Sequence, residues 1–382
     1  MKIAIITNSS SYEPRVDLTA AFFRKNGHQV TRIESDYIHR EKTKRSCQQE
    51  ETIYVDTIPY KRNLSLRRLY SHYDFSKKVF RLLDSHSFDL LYVFIPANSL
   101  LKFAAKHKSN NPDVILIVDV IDLWPESLPF RYLKKMWPIT LWSALRNDYL
   151  SESDYIILEC NLYESLLKQH IKRVDHSVVY WPKKFTLDCA EYIMDDNQLN
   201  LCYLGSINNI IDINLIIKLM TELNKIKKTV LHIVGDGEKR DKFLVQLSSA
   251  DIPVIYYGSI YNEHKKMEIL SKCDYGLNIM KSTVCVGITM KSVDYMHAGI
   301  PMINNIKGDT WDLIESNPLG INCKSNLCSE LANEIVDRRN QMKENRTYIR
   351  ELYNELFSEE AYNKRMEECL RGLMNDNIEV NF

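Results

Sequence analysis

Glycine is scarce in this chain and unevenly placed. There are 11 glycines in 382 residues, roughly 3% against about 7% in an average protein, and Gly27 alone precedes Gly205. A backbone that approaches a phosphate closely needs glycine, because a Cβ would stand in the way. The first half therefore has little means of building a glycine-rich phosphate cradle. Any nucleotide site belongs mainly to the second half, where Gly205 ends one apolar run, Gly235 and Gly237 end another, and Gly258, Gly287 and Gly299 follow. The first apolar run is not followed by Gly-x-Gly-x-x-Gly, which excludes a nicotinamide dehydrogenase of the usual kind.

Other absences narrow the field further. Fifty basic residues balance fifty acidic ones, so overall charge gives no sign of a nucleic-acid partner. The nine cysteines contain no C-x-x-C pair, and the nearest two are Cys323 and Cys328. That argues against a zinc site or a disulfide framework and for a reducing compartment. The opening run Met1–Thr7 is too short for a signal peptide and reads as a first strand. No apolar run is long enough to span a bilayer, so a cytoplasmic protein is expected.

What is present is alternation. Nearly continuous apolar runs at 3–7, 29–33, 90–95, 114–120, 155–158 and 177–180 are separated by helical stretches, and the pattern resumes at 199–204, 230–234, 254–257, 276–279 and 301–304. Strands buried on both faces with helices between them imply βαβ units and parallel sheets. Trp181-Pro182 and the polar stretch 188–200 interrupt the pattern. The expected organisation is an N-terminal Rossmann-like domain over 1–184, a second over 198–350, and a helical segment over 351–382 packing back toward the first. Such a doubly wound α/β pair places ligands in a cleft at the carboxyl ends of its strands.

The most informative segment is 286–301. Gly287-Ile288-Thr289-Met290 opens a short helix that carries Lys291 and Asp294 three residues apart, and Gly299-Ile300-Pro301 stops it. Exposed amides at a helix start favour an anion, a nearby cation strengthens that, and a carboxylate one turn on can accept from two neighbouring hydroxyls such as those of a ribose. The segment resembles the donor-site signature of group 1 retaining glycosyltransferases of GT-B fold. Leu201–Ser206, with Gly205 and Ser206, is similar to that family's first donor-domain strand and loop. His232–Gly237 and Val254–Gly258 are similar to the next two. In the first half, Glu13-Pro14-Arg15-Val16 and Gly27-His28-Gln29-Val30 resemble the opening of one bacterial branch, and Asp122-Leu123-Trp124-Pro125-Glu126-Ser127 resembles a segment of transferases that build capsule, O-antigen and exopolysaccharide repeat units.

The resemblance implies transfer, with retention and without an essential metal or other cofactor, from a nucleotide-diphosphate sugar to a glycan acceptor, most readily a lipid-diphosphate-linked one. It assigns donor binding to Gly205, Ser206, Gly235, Gly237, Gly258, Gly287, Ile288, Thr289, Met290, Lys291 and Asp294. Asp122 and Lys291 are the catalytic candidates, and Arg15 and Glu126 the acceptor-side ones. Two departures bear on the site. Many members carry two glutamates eight positions apart where this chain has Val286 and Asp294, and many place Arg and Lys after the first donor-domain glycine, where 206–214 has neither. Lys291, with Lys281 as a second candidate, and backbone amides would then meet the diphosphate. A non-catalytic GT-B partner subunit or a sugar-nucleotide epimerase would share the donor half. The epimerase needs cleft carboxylates that Val286 does not supply.

His297 reads as a packed histidine rather than a ligand. Two basic, aromatic stretches, 61–83 and 130–146, stand out against the neutral whole. Cations interleaved with Trp, Tyr and Leu suit an anionic membrane surface. Both stretches lie in the acceptor half, so peripheral contact with the inner face of the membrane is expected. The competing reading of each is an amphipathic core helix with a solvated basic face.

Overall fold

The computed structural model describes residues 1–46, 49–62, 65–127, 137–185, 191–324 and 327–375. The chain forms two compact units, Met1–Trp181 with Tyr362–Phe382, and Pro182–Ala361.

The first unit is built on strands β1 (Lys2–Thr7), β2 (Gln29–Ser35), β3 (Tyr37–Ile38), β4 (Thr43–Lys44), β5 (Thr52–Val55), β6 (Leu90–Ile95), β7 (Ile115–Val120), β8 (Tyr155–Leu158) and β9 (Asp175–Val178). Its helices are α1 (Glu13–Lys25), α2 (Leu66–Leu83), α3 (Asn98–Asn110), α4 (Trp137–Asn147) and α5 (Asn161–Leu167). Seven strands form a parallel sheet in the order β5-β2-β1-β6-β7-β8-β9, while β3 and β4 pair as a small antiparallel hairpin. All six residues of β6 and of β7 are buried, as expected for central strands covered on both faces. One core lies on the face packed by α2, α3 and α5, and another on the face packed by α1 and the chain from Tyr362 onward.

That second face contains a buried ion pair. Asp119 on β7 and Arg15 on α1 are both fully buried. Arg15 donates from Nε to Oδ2 at 2.9 Å and from Nη2 to Oδ1 at 3.1 Å, and a third nitrogen reaches the Val179 carbonyl. Tyr92 on β6 donates to the same carboxylate, and Tyr362 lies beside the guanidinium while its hydroxyl meets Thr19. All three guanidinium nitrogens and both carboxylate oxygens are thus engaged, the condition under which a charge can be held in a dry core.

The second unit carries β10 (Leu199–Leu204), β11 (Thr229–Val234), β12 (Val254–Gly258), β13 (Tyr275–Asn278), β14 (Met302–Asn304) and β15 (Gly320–Asn322). Between and after them run α6 (Ile213–Ile226), α7 (Arg240–Ser249), α8 (Glu263–Leu270), α9 (Met290–His297), α10 (Asp309–Ser316), α11 (Cys328–Asp337), α12 (Arg339–Glu344), α13 (Arg346–Phe357) and α14 (Glu359–Asn375), the last continuing into the first unit from Tyr362. The sheet order is β12-β11-β10-β13-β14-β15, all parallel. This is the doubly wound arrangement, with its switch point between β10 and β13, where ligands meet the carboxyl ends of the strands. Two sheet strands escape the sequence reading. Residues 52–55 are half-buried at an edge, and the three-residue β15 contains too little apolar sequence to announce itself.

Candidate functional site

At the switch point of the second unit, three strand-end loops are tied together by backbone. Gly205 N–H donates to Val234, Ile207 N–H to Asp236, and Gly235 N–H to Gly258. The glycines here do different jobs. A Cβ on Gly235 would overlap the Gly205 carbonyl, and one on Gly237 would overlap Ile207; both glycines serve the packing of one loop on another. Gly205, at φ +118, has nothing within 4 Å of the position a Cβ would take. Its open face is the one available to a ligand.

Helix α9 is docked onto these loops by Tyr295 and capped by Thr289. The Tyr295 ring lies beneath Gly276, where a Cβ would be 2.6 Å from the ring. Its hydroxyl takes the Leu204 amide and faces the Cys202 carbonyl, at the end of β10. Thr289 accepts from the Ser292 amide and its hydroxyl meets Asn278. From there a side-chain ladder crosses three strands: Asn278 donates to Asn304, Asn304 to Asn322, and Asn322 to Glu315 and the Trp311 carbonyl. Gly287 is buried, its carbonyl receiving both the amide and the hydroxyl of Thr310. The loop that opens α9 is therefore held by polar contacts in a buried setting, the kind of network that specifies one geometry when fully paired. Replacing Asn304 with Leu strands a donor and an acceptor on its neighbours. The expected loss is about 2–4 kcal/mol, read as a lower urea midpoint, with the α9 amides exchanging faster with solvent.

Lys291 is the chemically distinctive group. It is 8% exposed, its ammonium lies 5.0 Å from the centre of the Tyr203 ring, and burial pulls its pKa down to about 7. Tyr203 in turn donates to the Ser206 carbonyl. Through Tyr203 the fold thus links Lys291 to the Gly205–Ser206 loop. Ile288 is buried and Met290 largely exposed beside them; Lys281 is exposed and joins through its amide to Ile210.

Asp294 needs revision. Instead of standing free for a ribose, its buried carboxylate accepts from Lys183 at 2.7 Å on both oxygens and from Lys266 on α8 at 2.8 Å. The ammonium groups also flank the Phe185 ring, at 5.1 and 5.4 Å. A hydroxyl ligand would have to share Asp294 with them. Neither lysine stands out in the sequence, because they lie 111 and 28 residues from Asp294 and belong to no local motif. His297 is packed, its ring stacked on Phe185 at 3.7 Å and set against Tyr353.

In the first unit, Asp122 follows β7 and is held by Ser127 at 2.6 Å; burial raises its carboxyl pKa. Around it the sequence reading is corrected at several points. Arg15 is locked to Asp119 in the core and presents nothing to an acceptor. Glu126 is paired with Arg146 at 2.8 Å, and Arg146, fully buried, also holds the Trp124 carbonyl. Arg68, read as part of a basic surface stretch, is 9% exposed and stacks on Trp124 at 4.2 Å beside His72. The side chains that act on Asp122 include Ser127, Trp124, Arg68 and Tyr12. Of the two basic stretches, 63–64 and 130–136 lie outside the described residues. The remainder exposes Leu66, Tyr70, Tyr73, Trp137 and Leu141, and Tyr73 and Leu141 line one largely apolar cavity of about 330 Å³. No helix among the described residues is long and apolar enough to cross a membrane.

Comparison with known proteins agrees with this fold. Residues 198–338 match the family described as glycosyl transferases group 1. None of the curated proteins matches the chain in sequence. Among solved structures, the sucrose-phosphate synthase of Thermosynechococcus elongatus is similar at a TM-score of 0.70 and 12% identity, over 98% of this chain and 100% of that one. The lipopolysaccharide outer core galactosyltransferase WaaB, in its apo form, gives 0.70 and 17%, over 97% and 99%. Anabaena HepE in complex with UDP gives 0.68 and 14%, over 97% and 100%. At these identities the structures speak for the fold, and the matched segment speaks for the family. The chain has the GT-B fold, and its segment 198–338 is similar to the group 1 glycosyl transferases.

Proposed function

We propose that this protein transfers a sugar from a nucleotide-diphosphate sugar to a glycan acceptor of the cell surface, with retention and without a metal. The observation that carries the donor assignment is Lys291, a buried ammonium with an aromatic face and no carboxylate among its described contacts, beside the open Gly205–Ser206 loop. A diphosphate leaving group develops charge, and a preorganised cation in a dry site stabilises that charge better than water does. Excluding water also protects the donor from hydrolysis. Anabaena HepE, of the same fold, is known in complexes with UDP and with UDP-glucose, which supports a uridine nucleotide as the first donor to try.

On the acceptor side the reading is a lipid-diphosphate-linked glycan met at the inner membrane face by an otherwise cytoplasmic protein. The exposed Leu66, Tyr70, Trp137 and Leu141 support it, since apolar and aromatic side chains among cations are what an anionic interface takes up. The engagement of Asp294 by two lysines favours one competing reading, a non-catalytic subunit that binds nucleotide or glycan for another transferase.

A thermal-shift panel of nucleoside diphosphates and their sugars tests the donor assignment. The expected result is stabilisation by one base alone, about 2.7 kcal/mol at a hundredfold excess over Kd. No shift with any nucleotide at millimolar concentration would overturn it. Product formation on a lipid-linked acceptor then separates the transferase from the non-catalytic subunit, and the anomeric configuration of that product tests retention.

A further inference from the structure

A second concentration of positive charge lies in the same unit, away from the Gly205 loop. Lys343, Arg346 and Arg350 line a cavity of about 540 Å³ together with Tyr192, His297 and Glu191. Three cations there face one carboxylate. Arg346 is 5% exposed, lies 3.5 Å over the Tyr192 ring, and spends one nitrogen on the carbonyls of Cys273 and Asp274. Its Nε has no hydrogen-bond partner. The nearby Asp274 carboxylate favours the charged form of Arg346, but Arg339, the Tyr192 hydroxyl and the Asn200 amide already engage its oxygens. Arg350 lies against Gly299, where a Cβ would be 2.8 Å from its guanidinium. Neither Lys343 nor Arg350 has an ion-pair partner among the described residues.

Holding three cations together against one carboxylate is unfavourable, and burial of Arg346, with Arg350 adding to it, lowers its pKa to about 10. Two guanidinium groups and an ammonium lining one cavity fit an oxyanion, most closely the bidentate oxygens of a phosphate. The volume falls in the range of small-ligand pockets. Its place matters as well, for His297 ends α9 and Lys291 lies in that helix's first turn, so the cavity and the candidate donor site adjoin opposite ends of one eight-residue helix.

We propose that this cavity is a second anion site, which takes the phosphate or diphosphate group of a small ligand and is separate from the site at Lys291. The assignment rests on the cavity itself and not on the donor reading. Calorimetric titration of the full chain with inorganic pyrophosphate tests it, using wild type, R350A, K343E and K291M. The expected result is that K291M keeps a pyrophosphate-binding event while R350A and K343E weaken that event by at least about tenfold, the size expected for losing a charge-assisted contact. Lys343 is exposed, so K343E decides the matter if R350A fails to fold. The proposal is overturned if both variants bind as wild type does, if K291M binds no pyrophosphate, or if wild type binds none at millimolar concentration.

Discussion

Lys291→Met is expected to make the ligand-free protein more stable and at the same time to weaken nucleotide binding about a hundredfold. The two effects have one cause. A lysine titrating near 7 in the fold and near 10.4 when unfolded is a group whose charged form the fold disfavours. At neutral pH that costs on the order of 4 kcal/mol, and a methionine of similar shape avoids it. The sign of the pH dependence follows. Between about pH 7 and 10 the unfolded chain holds a proton on Lys291 that the folded chain does not, so wild-type stability rises with pH across that window. K291M lacks this rise, which thermal melts at pH 7, 8 and 9 would show. Binding runs the other way. A diphosphate needs the ammonium form, so donor affinity in wild type should fall by up to about tenfold per pH unit above 7, until the pKa of the complex is reached. In K291M the affinity should be weaker by two orders of magnitude, about 2.7 kcal/mol, and flat with pH over that range. A variant destabilised without ligand, or one that binds nucleotide as wild type does, would remove Lys291 from the site.

Asp119→Ala should be the most damaging single change in the first unit. It leaves the Arg15 guanidinium without its carboxylate in a fully buried position and takes the acceptor from the Tyr92 hydroxyl. Removing one partner of such a pair costs about 3–5 kcal/mol, whereas replacing both by apolar residues is often neutral. Arg15→Met combined with Asp119→Leu should therefore recover most of what either single substitution loses. Hydrogen exchange at the β6 and β7 amides reads the local stability of this unit directly. Equal losses in the singles and the double would mean that packing, not charge, sets the cost. This pair also explains why Arg15 misleads as a sequence signal. An arginine in the first turn of a helix looks solvent-facing until the strand that neutralises it, 104 residues on, is known.

Much of this architecture was written locally. Apolar runs such as Leu90–Ile95 and Leu199–Leu204 declare strands buried on both faces, and the helical stretches between them declare parallel sheets. The second-half glycines mark where loops must pass close to one another or leave room for a ligand. Periodicity carries this information because it records which face of each element is dry. It does not record which dry faces meet. The union of Lys183, Lys266 and Asp294, the locking of Glu126 by Arg146, the asparagine ladder behind Thr289 and the basic cavity beside Arg346 all join residues far apart in the chain. Each pairing depends on strand order and on the path of the loops. A buried charge in a sequence demands some partner; the tertiary structure alone decides which one, because only there are the distances short enough and water absent enough for the choice to carry energy.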